Sequence, residues 1–399
     1  MELAFKDIRR HLGKFLATIA GVAMLLAIVL VMNGIYRGNI EDGVWLIDNT
    51  ATDLWVVERG RGGPFNEPSR IPLDSYRSVA ATPGVALASP VILYTAQREI
   101  GPAAKSQQFT VIGYDVFGGL GGPGRLVAGR PIEAPHWEMV ADAKLGLRVG
   151  DAVPLGNDRY TVVGITRGAV DAGGNPLVYL SLPDAQKVQF DQDKRAIVAA
   201  RAASLQRLER QGIRGEQAER LLPLLSGTGG TINAVLVRLQ PGADGERVAR
   251  HIRDWLYFNV YTTEEERALM LEGRLSRMSA VLGLFRSLLV MVSIVIIALI
   301  VYVLTIEKIR SIATLKLIGA PNHLIVRLIM TQSMLLTLGG FALAYLLREL
   351  IAPRFPRTLA FVPQETGITF AVMLAGGVLA SLLAIWHALR TPPQLALGG

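Results

Sequence analysis

Four stretches of this chain contain no Asp, Glu, Lys or Arg and are almost wholly apolar: Phe15–Tyr36, Ser287–Ile306, Leu328–Leu347 and Thr366–Leu389. At about 1.5 Å per residue, each is long enough to cross a hydrocarbon layer of about 30 Å as one helix. Charged residues make up only 19% of the chain, against about 25% in a soluble domain. A single soluble core is therefore excluded. Between the first and second stretches, residues 37–286 have the composition of an ordinary folded domain, so the chain divides into a membrane part and an aqueous part. The first stretch lacks the short apolar region and small-residue cleavage site of a removed signal peptide. The expected fold is four transmembrane α-helices, one before and three after a large mixed α/β domain with a helical stalk.

Flanking charge sets the expected orientation. Lys6, Arg9, Arg10 and Lys14 precede the first span, and Lys308, Arg310, Lys316 and Arg327 lie between the second and third. Short loops rich in Lys and Arg stay in the cytoplasm. Both termini are then expected inside, with 37–286 and 348–365 outside, although Arg348, Arg354 and Arg357 fall in the second of these. The same retention accounts for 41 Lys and Arg against 33 Asp and Glu, a net charge of +8. No dense basic run with interleaved aromatics points to nucleic acid. With no cysteine in the chain, disulfides, thiolate chemistry and Cys-based zinc sites are excluded. The expected layout is a cytoplasmic segment 1–14, span 15–36, outer domain 37–262, stalk 263–286 and span 287–306. A cytoplasmic loop 307–327, span 328–347, outer loop 348–365, span 366–389 and cytoplasmic tail 390–399 follow.

Within the outer domain, residues 53–58, 109–112, 139–141 and 160–165 have strand composition bounded by Gly, Asp or Asn. Pro72–Ala81 and Glu246–Trp255 have helical spacing, and 191–225, rich in Arg and Ala with Leu205, Leu208, Leu221 and Leu222 on apolar faces, reads as an inserted helix pair. Thr262-Thr263-Glu264-Glu265-Glu266 is a helix start, because a Thr oxygen can accept from the N–H three residues on while the Glu there reaches back. One helix is predicted from 263 to 305, about 64 Å long, half of it standing outside the bilayer. The alternative is a break near Gly283.

Catalytic patterns are absent or out of context. Gly119–Gly124 matches G-x-G-x-x-G, but Pro123 sits inside it and loop follows, so it reads as a flexible loop. There is no G-x-x-x-x-G-K-[ST] and no G-x-S-x-G. His11, His136, His251, His323 and His387 are scattered and form no H-E-x-x-H. The chain is expected to be neither an enzyme nor a holder of a metal or cofactor. The charge-free spans offer no polar path for an ion. They do carry small-residue faces: Ala17 with Gly21, Gly340 with Ala344, and Gly376, Ala380 and Ala384. Such faces let helices approach closely, either within the subunit or in a dimer.

The most informative segment is Glu307-Lys-Ile-Arg-Ser-Ile-Ala-Thr-Leu-Lys-Leu-Ile-Gly-Ala-Pro321. Ile309, Ile312, Ala313 and Leu317 share one helical face, and Lys308 and Lys316 lie on another. Gly319 is placed for the left-handed position after a helix, and Pro321 stops continuation. This segment resembles the signature loop of MacB/FtsX-type ABC-transporter permeases, E-R-x-R-E-I-G-x-x-[KR]-A-[LM]-G-A, and its Ala-Thr-Leu-Lys core is similar to DevC-type exporters. Ser311 stands where the family has an acid. Met139–Ile165 resembles the family's Leu-Gly-x-x-x-Gly-Asp and Val-Val-Gly-Ile succession, and Ser75–Ile92 is similar to the opening of the MacB outer core.

The resemblance covers essentially the whole chain and implies a permease subunit of an ABC exporter in the bacterial inner membrane. It implies that ATP and Mg are bound by a separate ATPase, and that a second permease, an identical copy or a pseudo-symmetric relative, completes the transporter. A periplasmic adaptor (membrane fusion protein) and an outer-membrane channel would complete the export route. By the same resemblance, Glu307, Lys308, Arg310, Ile312, Ala313, Leu315, Lys316 and Gly319 form the element that couples to the ATPase, with Ile312, Ala313 and Leu315 filling a groove on it. Two other activities occur among similar permeases: FtsX-like signalling to a cell-wall hydrolase, and lipoprotein extraction in the manner of LolC and LolE.

Overall fold

The computed structural model describes residues 12–65, 67–100, 105–189, 230–355 and 357–390. The proposed helix pair at 191–225, the terminal segment before Leu12 and the tail after Arg390 lie outside the described residues. The chain divides into two compact units, Glu41–Ser276 and the remainder, Met1–Ile40 with Arg277–Gly399.

Helices build the second of these units: α1 (Leu12–Asn49), whose C-terminal part enters the other unit, then α5 (Arg274–Glu307), α6 (Ile309–Leu317), α7 (Asn322–Ile351) and α8 (Pro363–Arg390). Four of them are long and apolar enough to cross a membrane. Val22, Leu26 and Leu30 of α1 form a common core with Ile297 and Val301 of α5, Ile329 and Leu336 of α7, and Ile385 of α8. Apolar burial drives little association in lipid, so close approach and interhelical hydrogen bonds carry more of the packing. Gly376 lets Ile294 approach, Gly377 lets Thr337 approach, and the Ser333 hydroxyl donates to the Gly377 carbonyl at 2.9 Å. Asn33 Nδ2 donates to Thr369 Oγ1 at 2.8 Å.

The other unit is a mixed sheet of ten strands, in the order β12-β1-β11-β3-β4-β9-β6-β8-β5, with β7 paired to β8. Its central members are β1 (Leu54–Val57), β3 (Val85–Ile100), β4 (Lys105–Tyr114), β6 (Glu138–Asp142), β8 (Asp158–Thr166), β9 (Leu177–Ser181) and β11 (Ala234–Leu239). Short strands β5 (Leu126–Gly129), β7 (Ala152–Leu155) and β12 (Asn259–Thr262) finish its ends, and β2 (Ile71–Pro72) pairs with β10 (Thr231–Ile232) apart from it. Pairs β4–β9 and β6–β8 are parallel; the others are antiparallel.

Both faces of the sheet's middle are buried. Phe109, Val111, Val178 and Leu180 lie in one cluster, and Ile112, Leu177 and Tyr179 in another. This is why Leu177–Leu180 is an unbroken apolar run rather than an alternating one. Helices α2 (Ser75–Ala80) and α3 (Gly245–Leu256) place Val79, Val248, Ala249 and Ile252 in the first cluster.

Helix α4 (Thr263–Glu272) begins as its sequence predicts. Thr262 Oγ1 accepts from Glu265 N at 3.1 Å, and Glu265 Oε2 accepts from Thr262 N at 2.8 Å. The single helix predicted over 263–305 does not form. It breaks at Gly273, with φ −87° and ψ −95°, where the Gly273 N–H closes α4 on the Leu269 carbonyl at 2.8 Å. The cause is tertiary: Leu275 is buried against Gly43, turning the chain at the nearest glycine, whereas Gly283 has open space beside it and remains helical. The first predicted span also runs further, since α1 continues from Tyr36 to Asn49, about 57 Å in all.

Candidate coupling site

The segment between the second and third spans folds as a short capped helix. Lys308, with φ −97° and ψ 3°, separates α5 from α6. At the far end, the Gly319 N–H donates to the Lys316 carbonyl at 3.0 Å and the Ala320 N–H to the Leu315 carbonyl at 2.9 Å. Gly319 has φ +89°. These two bonds and the left-handed glycine are the Schellman arrangement, and Pro321 follows it.

The two faces of α6 are used differently from the sequence-based expectation. Ile312 and Ala313 are buried within the chain's own helices, Ile312 in one cluster with Ile325, Ile329 and Ile385. They are therefore not available to fill a groove on a partner. Helical spacing groups residues onto a face but does not say which neighbour covers it. Lys316 also turns inward, donating to the carbonyls of Ala388 and Leu389 at 3.0 and 2.8 Å. A cation at these terminal carbonyls of α8 satisfies groups that have no partner within the helix and complements its dipole. Lys308 Nζ reaches Gln332 Oε1 at 3.0 Å, and Glu307 lies 3.9 Å from Lys14 at the surface. Leu315 is half-buried.

What remains outward is Arg310, Ser311, Thr314, Leu317, Ile318 and Gly319. Leu317 is 48% and Ile318 79% exposed. Neither side chain is covered by the chain's own helices.

The small-residue faces separate in the same way. Gly340 receives Val22, with an added Cβ falling 2.7 Å from Val22 Cγ1; Gly376 receives Ile294; Ala344 and Ala384 are fully buried. These are packing positions within the subunit. Ala17 and Gly21 are exposed, with open space at Gly21. The Ala380 side chain lies outside the described residues.

Sequence reasoning missed two crowded glycines of α1. Gly34 and Gly38 of α1 receive Phe361 and the Thr358 carbonyl, and the Ala360 N–H donates to the Gly34 carbonyl at 3.2 Å. A G-x-x-x-G spacing was the available signal. Arg348, expected in a loop, belongs to α7 and is buried between the rings of Tyr345 and Phe361, 4.1 and 4.2 Å from their centroids. Among the described residues, no three His, Asp or Glu side chains converge as a metal site. Gly119–Gly124 is loop between β4 and β5, tied by the Leu120 N–H to Ser89 Oγ at 2.9 Å.

Two family models match the chain: the MacB-like periplasmic core domain over residues 15–255 and the FtsX-like permease C-terminal over 283–393. The chain belongs to the MacB/FtsX-type family of ABC-transporter permeases. It is 25% identical over 400 residues to an uncharacterized ABC transporter permease of Mycobacterium tuberculosis, and 24% identical over 399 residues to another from Mycobacterium bovis. Each alignment covers 99% of both chains. Among solved structures it is similar to the periplasmic region of MacB from Actinobacillus actinomycetemcomitans, with 10% identity and TM-score 0.34, over 55% of this chain and 92% of that one. The extracellular domain of the noncanonic ABC-type transporter YknZ from Gram-positive bacteria is similar at 11% identity and TM-score 0.30, over 53% and 99%. Membership of an ABC permease family implies an ATPase partner.

Proposed function

We propose that this chain is the permease subunit of an ABC exporter, and that it converts ATP hydrolysis in a separate ATPase into movement of its large external domain. ATP and Mg belong to that partner. The observation that carries this reading is the outward face of α6, where Arg310, Thr314, Leu317 and Ile318 stand free of the chain's own core. The inward face, through Ile312 and Lys316, joins α6 to α7 and α8. A push on the outward face is thereby delivered to two spans at once. The α6 side is cytoplasmic, in keeping with its basic flanks, and the sheet unit lies across the inner membrane in the periplasm. Arg348, Arg354 and Arg357, which run against that charge bias, are held by aromatic rings, the Leu350 carbonyl and Asn39 Oδ1 respectively. A second copy of the chain completes the transporter, with the uncovered α1 face at Ala17 and Gly21 open to a helix. A periplasmic adaptor and an outer-membrane channel continue the route.

The test is copurification with the cognate ATPase, together with substrate-stimulated ATP hydrolysis. Leu317→Asp combined with Ile318→Asp should abolish capture of the ATPase while leaving the permease inserted and folded. Ala313→Asp should instead lower the yield of folded permease, since a charge buried without a partner costs several kcal/mol. Full ATPase binding and full substrate stimulation in the Leu317/Ile318 variant would refute the assignment. ATPase activity that responds to a cell-wall hydrolase, with no transported substrate, would select signalling instead.

A further inference from the structure

Buried carboxyl groups in the sheet unit normally have partners. Asp142 accepts from Lys144 N, Thr166 Oγ1 and Ala169 N, at 2.9–3.2 Å. Asp184 accepts from Trp137 N and lies against His136 Nδ1, both at 2.8 Å. Glu266 of α4 is different. It has no exposed surface, and neither carboxyl oxygen has a hydrogen-bond partner.

Over this carboxyl lies the loop 58–70, described at residues 58–65 and 67–70. Gly63, at φ +86°, lies so close that a Cβ there would collide with both carboxyl oxygens. The loop is anchored to β12, where Tyr261 Oη and Asn259 Nδ2 donate to the Arg61 carbonyl at 2.8 and 3.2 Å. Phe65 of the loop meets Trp55 of β1 edge to face, with centroids 5.3 Å apart.

The described charges nearby pair with other groups or, like Arg70, stand exposed. On the loop, Arg61 pairs with Glu58 and Glu67 at 3.6 and 3.8 Å, and Arg59 lies over the Tyr257 ring. On α4, Glu265 caps the helix, Arg267 pairs with Asp48 of α1 at 3.6 Å, and Glu264 and Glu272 are exposed. Strand β1 carries no charge, and the titratable group of β12 is Tyr261.

We propose that Glu266 is the proton-binding element of a latch, which holds α4 and the 58–70 loop closed on the sheet while its carboxyl is neutral and releases them when it is charged. A neutral carboxyl can stay in this seat, whereas a carboxylate without a donor cannot. Because α4 leads through Gly273 directly into α5, the latch acts on the connector between the sheet and the second span. Closing takes up a proton and opening gives it back, so anything that opens the loop releases one proton.

The expected pH dependence follows from the two states. Burial raises the closed-state pKa from 4.5 to about 8. An opened, solvated carboxyl returns to its ordinary value. Between those values the open-to-closed ratio rises about tenfold per pH unit, and by about 50-fold from pH 6 to pH 8.

The test is hydrogen–deuterium exchange on the full chain in lipid nanodiscs, followed in peptides covering 58–70 and 263–272 and corrected for intrinsic exchange. Wild type should lose protection by about 50-fold over that range. Glu266→Gln and Glu266→Leu should each remain flat, and having two replacements separates loss of the titrating group from a packing defect. A flat wild type, or an equal slope in wild type and both variants, would overturn the latch.

Discussion

Gly21 and Gly38 lie on the same helix and have opposite surroundings. Nothing lies near the position of a Cβ at Gly21, whereas one at Gly38 would strike the Thr358 carbonyl oxygen. Gly38→Ala should therefore force the 357–362 segment off α1 and lower stability by about 1–3 kcal/mol, the usual scale for overpacking. Gly21→Ala should leave the isolated subunit unchanged. Thermal unfolding in detergent checks both, and equal melting temperatures for the two variants would remove the argument. The contrast also shows what local sequence carries. Gly319 was legible because its role depends on the residues beside it: a helix before, Pro321 after, and a backbone that needs positive φ. The role of Gly38 depends on residues more than 300 positions away. Ile312 and Ala313 were assigned to the right helix and the wrong partner for the same reason.

Among the elements, α4 is the most fully specified by its own residues. The reciprocal bonds between Thr262 and Glu265 satisfy two of the donors that a helix N-terminus leaves open. Thr262→Ala should cost about 1 kcal/mol, seen as faster amide exchange confined to 263–272; unchanged exchange there would mean that tertiary contacts alone hold this helix. The end of α4 was less legible. Two glycines were available, and the burial of Leu275 against Gly43, rather than any local preference, selected Gly273. Strand β3 was missed for a related reason. Pro90 interrupts its apolar run yet pairs with Val235 in the middle of the sheet, and in its second half Gln97, Arg98 and Glu99 are exposed. A proline inside a run argues against a central strand, and here the register overrides it.

At the scale of the whole molecule, the division into a helical unit and a sheet unit follows from where charge is absent, so the four spans and the large domain between them were legible. Strand order was not. The parallel pairing of β4 with β9 joins residues far apart in sequence, and short apolar runs do not encode their neighbours. The orientation of the two units across the membrane has a direct check, because the chain has no cysteine to interfere. Ser78 and Ser311 are both exposed. With the outer membrane opened, Ser78→Cys should react with an impermeant maleimide and Ser311→Cys should not; the reverse pattern would invert the proposed topology.

The separation of faces on α6 bears on how such a subunit can change over time. Residues that meet the chain's own helices, Ile312, Ala313 and Lys316, are fixed by the spans around them. Arg310, Thr314, Leu317 and Ile318 are exposed and free of that constraint. On the proposed reading, pairing with a particular ATPase is written in a few side chains that can be exchanged without repacking the membrane core. After duplication, two permeases could diverge in the motor they accept while keeping one scaffold, and an engineer could redirect one by grafting that face alone.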